Sequence, residues 1–373
     1  MYKKIFIMII LVILLFQPKC IYAKEEDITR KLDLFVNEID KHIKENEIEN
    51  IDLYILKEDL LKGKGINKKS ILDSLSFNIV KEIRNVVKGY AVVFIIIIFV
   101  NLINALNDFN NESIKKISSI VILVVISQNI LTNYIDILNT FKKTVEMFNV
   151  IMQISIPFIT TLSALSLNVS SAKITMPSLL FMSQISMQIA NKIICPLSTL
   201  SIVIGTVTYI NSQNMLKNFS KFLNKFAFTS LSAIFSIFLC ILSLEGNISG
   251  SLDTIAGKTA RVATNTIPVV GKFVAESLGA IVASCNLIKQ VAGTLSLLVM
   301  VIFLISPLIK ILISIFVLSF FESIISQIES DFKVSELFTK FKDAYTLLAS
   351  VLVLTFTLLT ISTGIMIKMS VNI

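Results

Sequence analysis

Apolar residues fall along this chain in two rhythms. Up to residue 88 they recur at helical spacing among charges, with Ile28, Leu32, Phe35, Val36, Ile39 and Ile43 on one face. Leu53, Leu56, Leu60 and Leu61 form a second such stretch, which stops at Lys62-Gly63-Lys64-Gly65. A third carries Ile71, Leu72, Leu75, Ile79, Ile83 and Val86 and leads into an apolar run, so it reads as a helix along the membrane surface before the first span. From there the rhythm changes to long apolar runs at 90–106, 117–138, 145–167, 174–191, 193–210, 226–244, 291–321 and 344–367. About 20 apolar residues cross a hydrocarbon layer as a helix. Backbone in lipid must bond internally, so these runs predict helices. The expected fold is all-α: a polytopic helical membrane protein of about seven to eight spans, with a small helical extracytoplasmic N-terminal domain.

Charge sharpens the boundary. Residues 24–88 carry 27 charged side chains, whereas 89–373 carry only 30. The net charge of +8 includes Lys3, Lys4 and Lys19 in a targeting segment, and the rest is spread over loops between apolar runs. Basic residues at membrane borders account for it, so no nucleic acid is expected as a partner and membrane lipid is. Residues 1–23 read as a signal peptide: Lys3 and Lys4, an apolar stretch from Ile5 to Phe16, then Ile21-Tyr22-Ala23 before the cut. Ile21 is unusual at that position, so an uncleaved anchor is the alternative. The expected division is 1–23 signal peptide, 24–88 charged helical domain outside the cytoplasm, 89–244 membrane helices, 245–290 amphipathic or re-entrant region, and 291–373 membrane helices.

Two regions stay open. Between 174 and 210 the only interruption is Asn191-Lys192 followed by Cys195-Pro196, which fits a tight hairpin or one long bent helix. Residues 245–290 begin polar, and 277–288 is a short uncharged stretch suited to a re-entrant or an interfacial helix. Pro268 and Gly271 mark its entry, and Gly279 with Ala283 makes a small-residue pair that lets helices approach closely.

Catalytic chemistry is hard to assemble from this composition. The single histidine, His42, has no His, Cys or paired carboxylates at ligand spacing, and Cys195, Cys240 and Cys285 each lie in apolar sequence. Neither a phosphate-binding loop nor a nucleophile elbow is present. No catalytic residue, metal site or cofactor is therefore expected, and the chain reads as a non-enzyme. Polar residues inside spans are the remaining candidates, because they are costly there. Asn101 and Asn104 share a face of the first span, Asn133 lies in the second, and Gln184, Gln188 and Asn191 recur along the fourth. Such a stripe either lines a pathway or bonds helices to one another. The scarcity of mid-span acids argues against a proton- or ion-coupled carrier.

The chain resembles the stage III sporulation protein AE family of endospore-forming Firmicutes. The resemblance rests on Lys258-Thr259-Ala260-Arg261, Thr266-Ile267-Pro268-Val269-Val270-Gly271-Lys272, Ala283-Ser284-Cys285-Asn286-Leu287-Ile288-Lys289 and Ser306-Pro307-Leu308-Ile309-Lys310. The lead into the first span adds Lys81-Glu82-Ile83 and Leu102-Ile103-Asn104-Ala105-Leu106. That resemblance implies a subunit of the channel, or feeding-tube, complex between mother cell and forespore. The protein would sit in the mother-cell membrane around the forespore. Implied partners are other stage III A proteins, including a cytoplasmic ATPase, and through them stage II sporulation protein Q. No catalytic residue carries over. The alternative from the residues alone is a stand-alone small-solute permease.

Overall fold

The computed structural model describes residues 25–45, 52–62, 68–106, 112–166, 169–211 and 270–326, short helical pieces within 218–240, and residues 334–368. Side chains are described from residue 80 to 99 in the third helix, from 121 in the fourth, from 176 in the fifth and from 282 in the seventh. Every regular element among these residues is helical: α1 Glu25–Glu45, α2 Leu53–Leu61, α3 Lys68–Leu106, α4 Glu112–Leu165, α5 Val169–Ile189, α6 Cys195–Asn211, α7 Val270–Ser326 and α8 Val334–Lys368. The signal-peptide segment 1–23, Pro268 and most of 245–269 lie outside the described residues.

Helix α4 corrects the expected split between 117–138 and 145–167, because its 54 residues run through both. The join at Lys142-Lys143 contains no Gly or Pro, and lysine is a good helix former. The buried face also continues across it through Phe141, Thr144 and Val145. At about 1.5 Å per residue this helix is roughly 80 Å long, well beyond a hydrocarbon layer.

The open choice at 174–210 resolves as one helix with a widened turn. Ala190–Ile194 is a π-helical turn between α5 and α6, closed by the Cys195 N–H on the Ala190 carbonyl. Pro196 follows at once; it has no N–H to give and its ring crowds the turn before it, so a wider turn keeps the helix continuous. The region 270–288 likewise belongs to α7, which continues without interruption to Ser326. Helix α3 carries the amphipathic lead and the first apolar run in one continuous element.

Contacts fix the helix directions. Asn149 meets Gln184 and Tyr134 meets Ser198, so α5 and α6 run antiparallel to α4. Ser155 meets Ser296 and Thr140 meets Lys310, so α7 is antiparallel to α4 too. Tyr134 packs on Tyr345 and Met152 on Thr363, so α8 runs parallel to α4. Helix α7 is central, touching α8, α4, α3, α1 and α2. Helix α1 joins the same core through Leu32, Phe35 and Val36, with Phe35 stacked on Phe158 of α4 at 4.6 Å.

The outer faces are apolar. Phe316 is 73% exposed and Ile95 64%, with Phe99 and Phe181 close behind. Faces of this kind need a nonaqueous cover. Four helices among the described residues are long and apolar enough to cross a membrane: Leu123–Leu165, Met176–Val207, Val282–Ile325 and Ser335–Ile367. The chain is thus a helical membrane protein whose described residues hold four such helices, two of which each take in a pair of expected spans.

Candidate functional site

The interior of the bundle holds a seam of polar side chains, and nearly every group in it bonds across or along helices. Lys310 of α7 is the one charged residue in the 291–321 run, and its ammonium is mostly buried. Its Nζ lies 3.3 Å from Glu82 Oε2 on α3, 3.4 Å from Thr140 Oγ1 and 3.7 Å from Asp136 Oδ2 on α4. Ser306, one helical turn before Lys310, donates to the other Glu82 oxygen at 3.0 Å. Three helices are therefore clasped at one charged point. A buried ion is tolerable only with such partners.

Along α4 the seam continues in both directions. Asn133 donates to the Gly89 carbonyl of α3 at 3.1 Å, and a Cβ on Gly89 would stand 2.4 Å from Asn133 Oδ1, so any larger residue there requires the Asn133 amide to move. Tyr134 donates to Ser198 at 2.8 Å, and the Tyr90 and Tyr345 hydroxyls meet at 3.0 Å, all buried. On the other side, Asn149 and Gln153 both donate to Gln184 Oε1, at 3.1 and 3.2 Å, and Ser183 donates to Asn149. Ser155 and Ser296 lie 2.6 Å apart where α4 and α7 are in contact. Toward the end of α7, Glu322 binds Lys342 of α8 and accepts from Thr339 at 2.7 Å.

Of the residues expected as pathway or packing groups, Asn133 and Gln184 are in this seam and serve as interhelical bonds. Gln188 is half-buried. Asn191 sits in the π turn with its Oδ1 buried and without a hydrogen-bond partner. Asn101 and Asn104 are placed in α3 with their side chains outside the described residues, Gly271 and Gly279 are placed in the backbone of α7, and Ala283 is exposed. Pro268 is not described at all. His42 stands in α1 with Nδ1 3.1 Å from Glu45.

Sequence reasoning passed over the Glu82–Lys310 junction. A signal was available: a lone lysine in a long apolar run must find an acid, and Glu82 lies on the striped helix that leads into the first span.

The family model of stage III sporulation protein AE matches residues 52–370. The chain belongs to this family. A curated relative, stage III sporulation protein AE of Bacillus subtilis (strain 168), is 24% identical over 205 residues, which cover 55% of this chain and 51% of the relative. The match therefore spans about half the relative's length. No solved structure matches. Within this chain, the family-like segments Lys81-Glu82-Ile83 and Ser306-to-Lys310 are spatial neighbours, joined by Ser306–Glu82 and Lys310–Glu82.

Proposed function

We propose that this chain is a non-enzymatic, multi-spanning subunit of the channel complex that joins mother cell and forespore, acting as its membrane platform. Family membership places the chain in sporulation. The observation that carries the platform reading is the use of the seam: Asn133, Gln184, Tyr134 and Lys310 spend their polar atoms on neighbouring helices. Side chains committed to each other hold helices in register and are not free to replace the hydration shell of a moving solute. Other stage III A proteins, a cytoplasmic ATPase among them, would supply energy and complete the passage, with stage II sporulation protein Q reached through them. In this reading the chain sits in the mother-cell membrane around the forespore, with residues 24–88 outside the cytoplasm. A stand-alone permease is not favoured by a sporulation family.

Reconstitution separates the two. The purified chain alone in sealed vesicles is expected to show no saturable solute flux, and to change vesicle permeability only when the other subunits are added. Saturable flux from the chain alone would overturn the platform reading.

A further inference from the structure

We propose that the aromatic row Phe219–Phe222–Phe226 is a membrane-surface docking face whose partner is the anionic headgroup layer. The three rings stack along one side of their segment, with centroids 6.4 and 6.1 Å apart. They are 47%, 58% and 49% exposed, so the bundle does not cover them. The segment already has a separate inward face: Leu223 and Ala227 are buried, at 6% and 0% exposure. A second apolar face pointing away from the core is therefore left for something outside the protein.

Two observations identify that partner. The first is charge. Lys225 is exposed on the same segment, and the sequence adds Lys217 and Lys221 at four-residue spacing. No Asp or Glu occurs anywhere between Glu146 and Glu245, so this stretch of sequence is purely basic. Phenylalanines interleaved with lysines suit the boundary between headgroups and acyl chains, and each basic group adds attraction to anionic lipid. The second is position. Farther on, Ile234 and Phe235 line a crevice with Ser186, Ala190, Val351 and Leu354, and Ala190 and Leu354 lie within helices apolar enough to span. The aromatic row thus sits at the end of a segment that enters the apolar layer.

The chain contains no tryptophan, so Phe222→Trp supplies a single reporter in the full protein. The variant is reconstituted in phosphatidylcholine vesicles with and without phosphatidylglycerol, carrying bromines either near the lipid carbonyls or deep in the acyl chains. The proposal expects blue-shifted emission quenched best by the shallow bromines. It also expects phosphatidylglycerol to increase that quenching, and the increase to be lost in Lys217→Gln/Lys221→Gln/Lys225→Gln. Strongest quenching by deep bromines would overturn it in favour of a buried span. Unquenched, water-like emission would overturn it in favour of solvent or a protein partner. Shallow quenching indifferent to phosphatidylglycerol would overturn the anionic assignment. Because the proposal rests on membrane insertion, a separate Phe316→Trp reporter on α7 checks that step. It should be quenched by deep bromines, and water-like emission there would overturn the insertion itself and the docking face with it.

Discussion

Neutralising Lys310 tests whether the three-helix junction is held by charge pairing. At 3.3 Å and an effective dielectric near 20, Lys310 and Glu82 attract by about 5 kcal/mol before desolvation is counted. Asp136 is 73% exposed, and at 3.7 Å in nearly aqueous surroundings its attraction is about 1 kcal/mol. Lys310→Met leaves Glu82 largely buried with Ser306 as its remaining donor, so a loss of about 3 kcal/mol is expected. Asp136→Asn should cost no more than about 1 kcal/mol. In the double variant Glu82→Gln/Lys310→Met both charges are gone, and the loss should be smaller than for Lys310→Met alone. Cys195 and Cys285 are buried free thiols, so a thiol-reactive dye reports unfolding of the detergent-purified chain on a background in which Cys20 and exposed Cys240 are replaced by serine. For a chain of this length, 3 kcal/mol corresponds to about 4 °C in the midpoint. Equal shifts for Lys310→Met and Asp136→Asn would refute the reasoning, as would a Glu82→Gln/Lys310→Met variant that loses as much as Lys310→Met alone.

Gly89→Leu should push the Asn133 amide off the Gly89 carbonyl, since even a Cβ there meets Asn133 Oδ1 at 2.4 Å, and a lower midpoint in the same dye assay checks it. Gln184→Leu strands the buried Asn149 amide and should cost about 1–3 kcal/mol, read as a loss of folded yield and midpoint. Tyr345→Phe removes the hydroxyl paired with Tyr90 and should cost about 1 kcal/mol, with Tyr90→Phe adding little on top of it; a double-mutant cycle checks this.

Helical character and membrane character were legible because long apolar runs admit few alternatives. Their division was less so. Lys142-Lys143 reads as a loop when charge is taken as a break, yet a helix tolerates it where Lys143 is exposed and Phe141 and Val145 keep the buried face. The Asn191-to-Pro196 interruption was visible as a disturbance, and only the π turn shows how the chain stays helical through it. For the candidate site, Asn133 and Gln184 stood out because amides inside a span demand partners. Those partners, Gly89, Asn149 and Gln153, could not be named from spacing within one helix. The Glu82–Lys310 pair was harder still, because it joins residues more than two hundred positions apart and neither side chain has a local motif.

An in-frame deletion of the gene for this chain, scored for vegetative growth and for forespore size and late forespore gene expression after engulfment, tests the sporulation-platform reading most directly. The account predicts normal vegetative growth with forespores that stay small or collapse. Impaired vegetative growth, or fully normal spores, would contradict it.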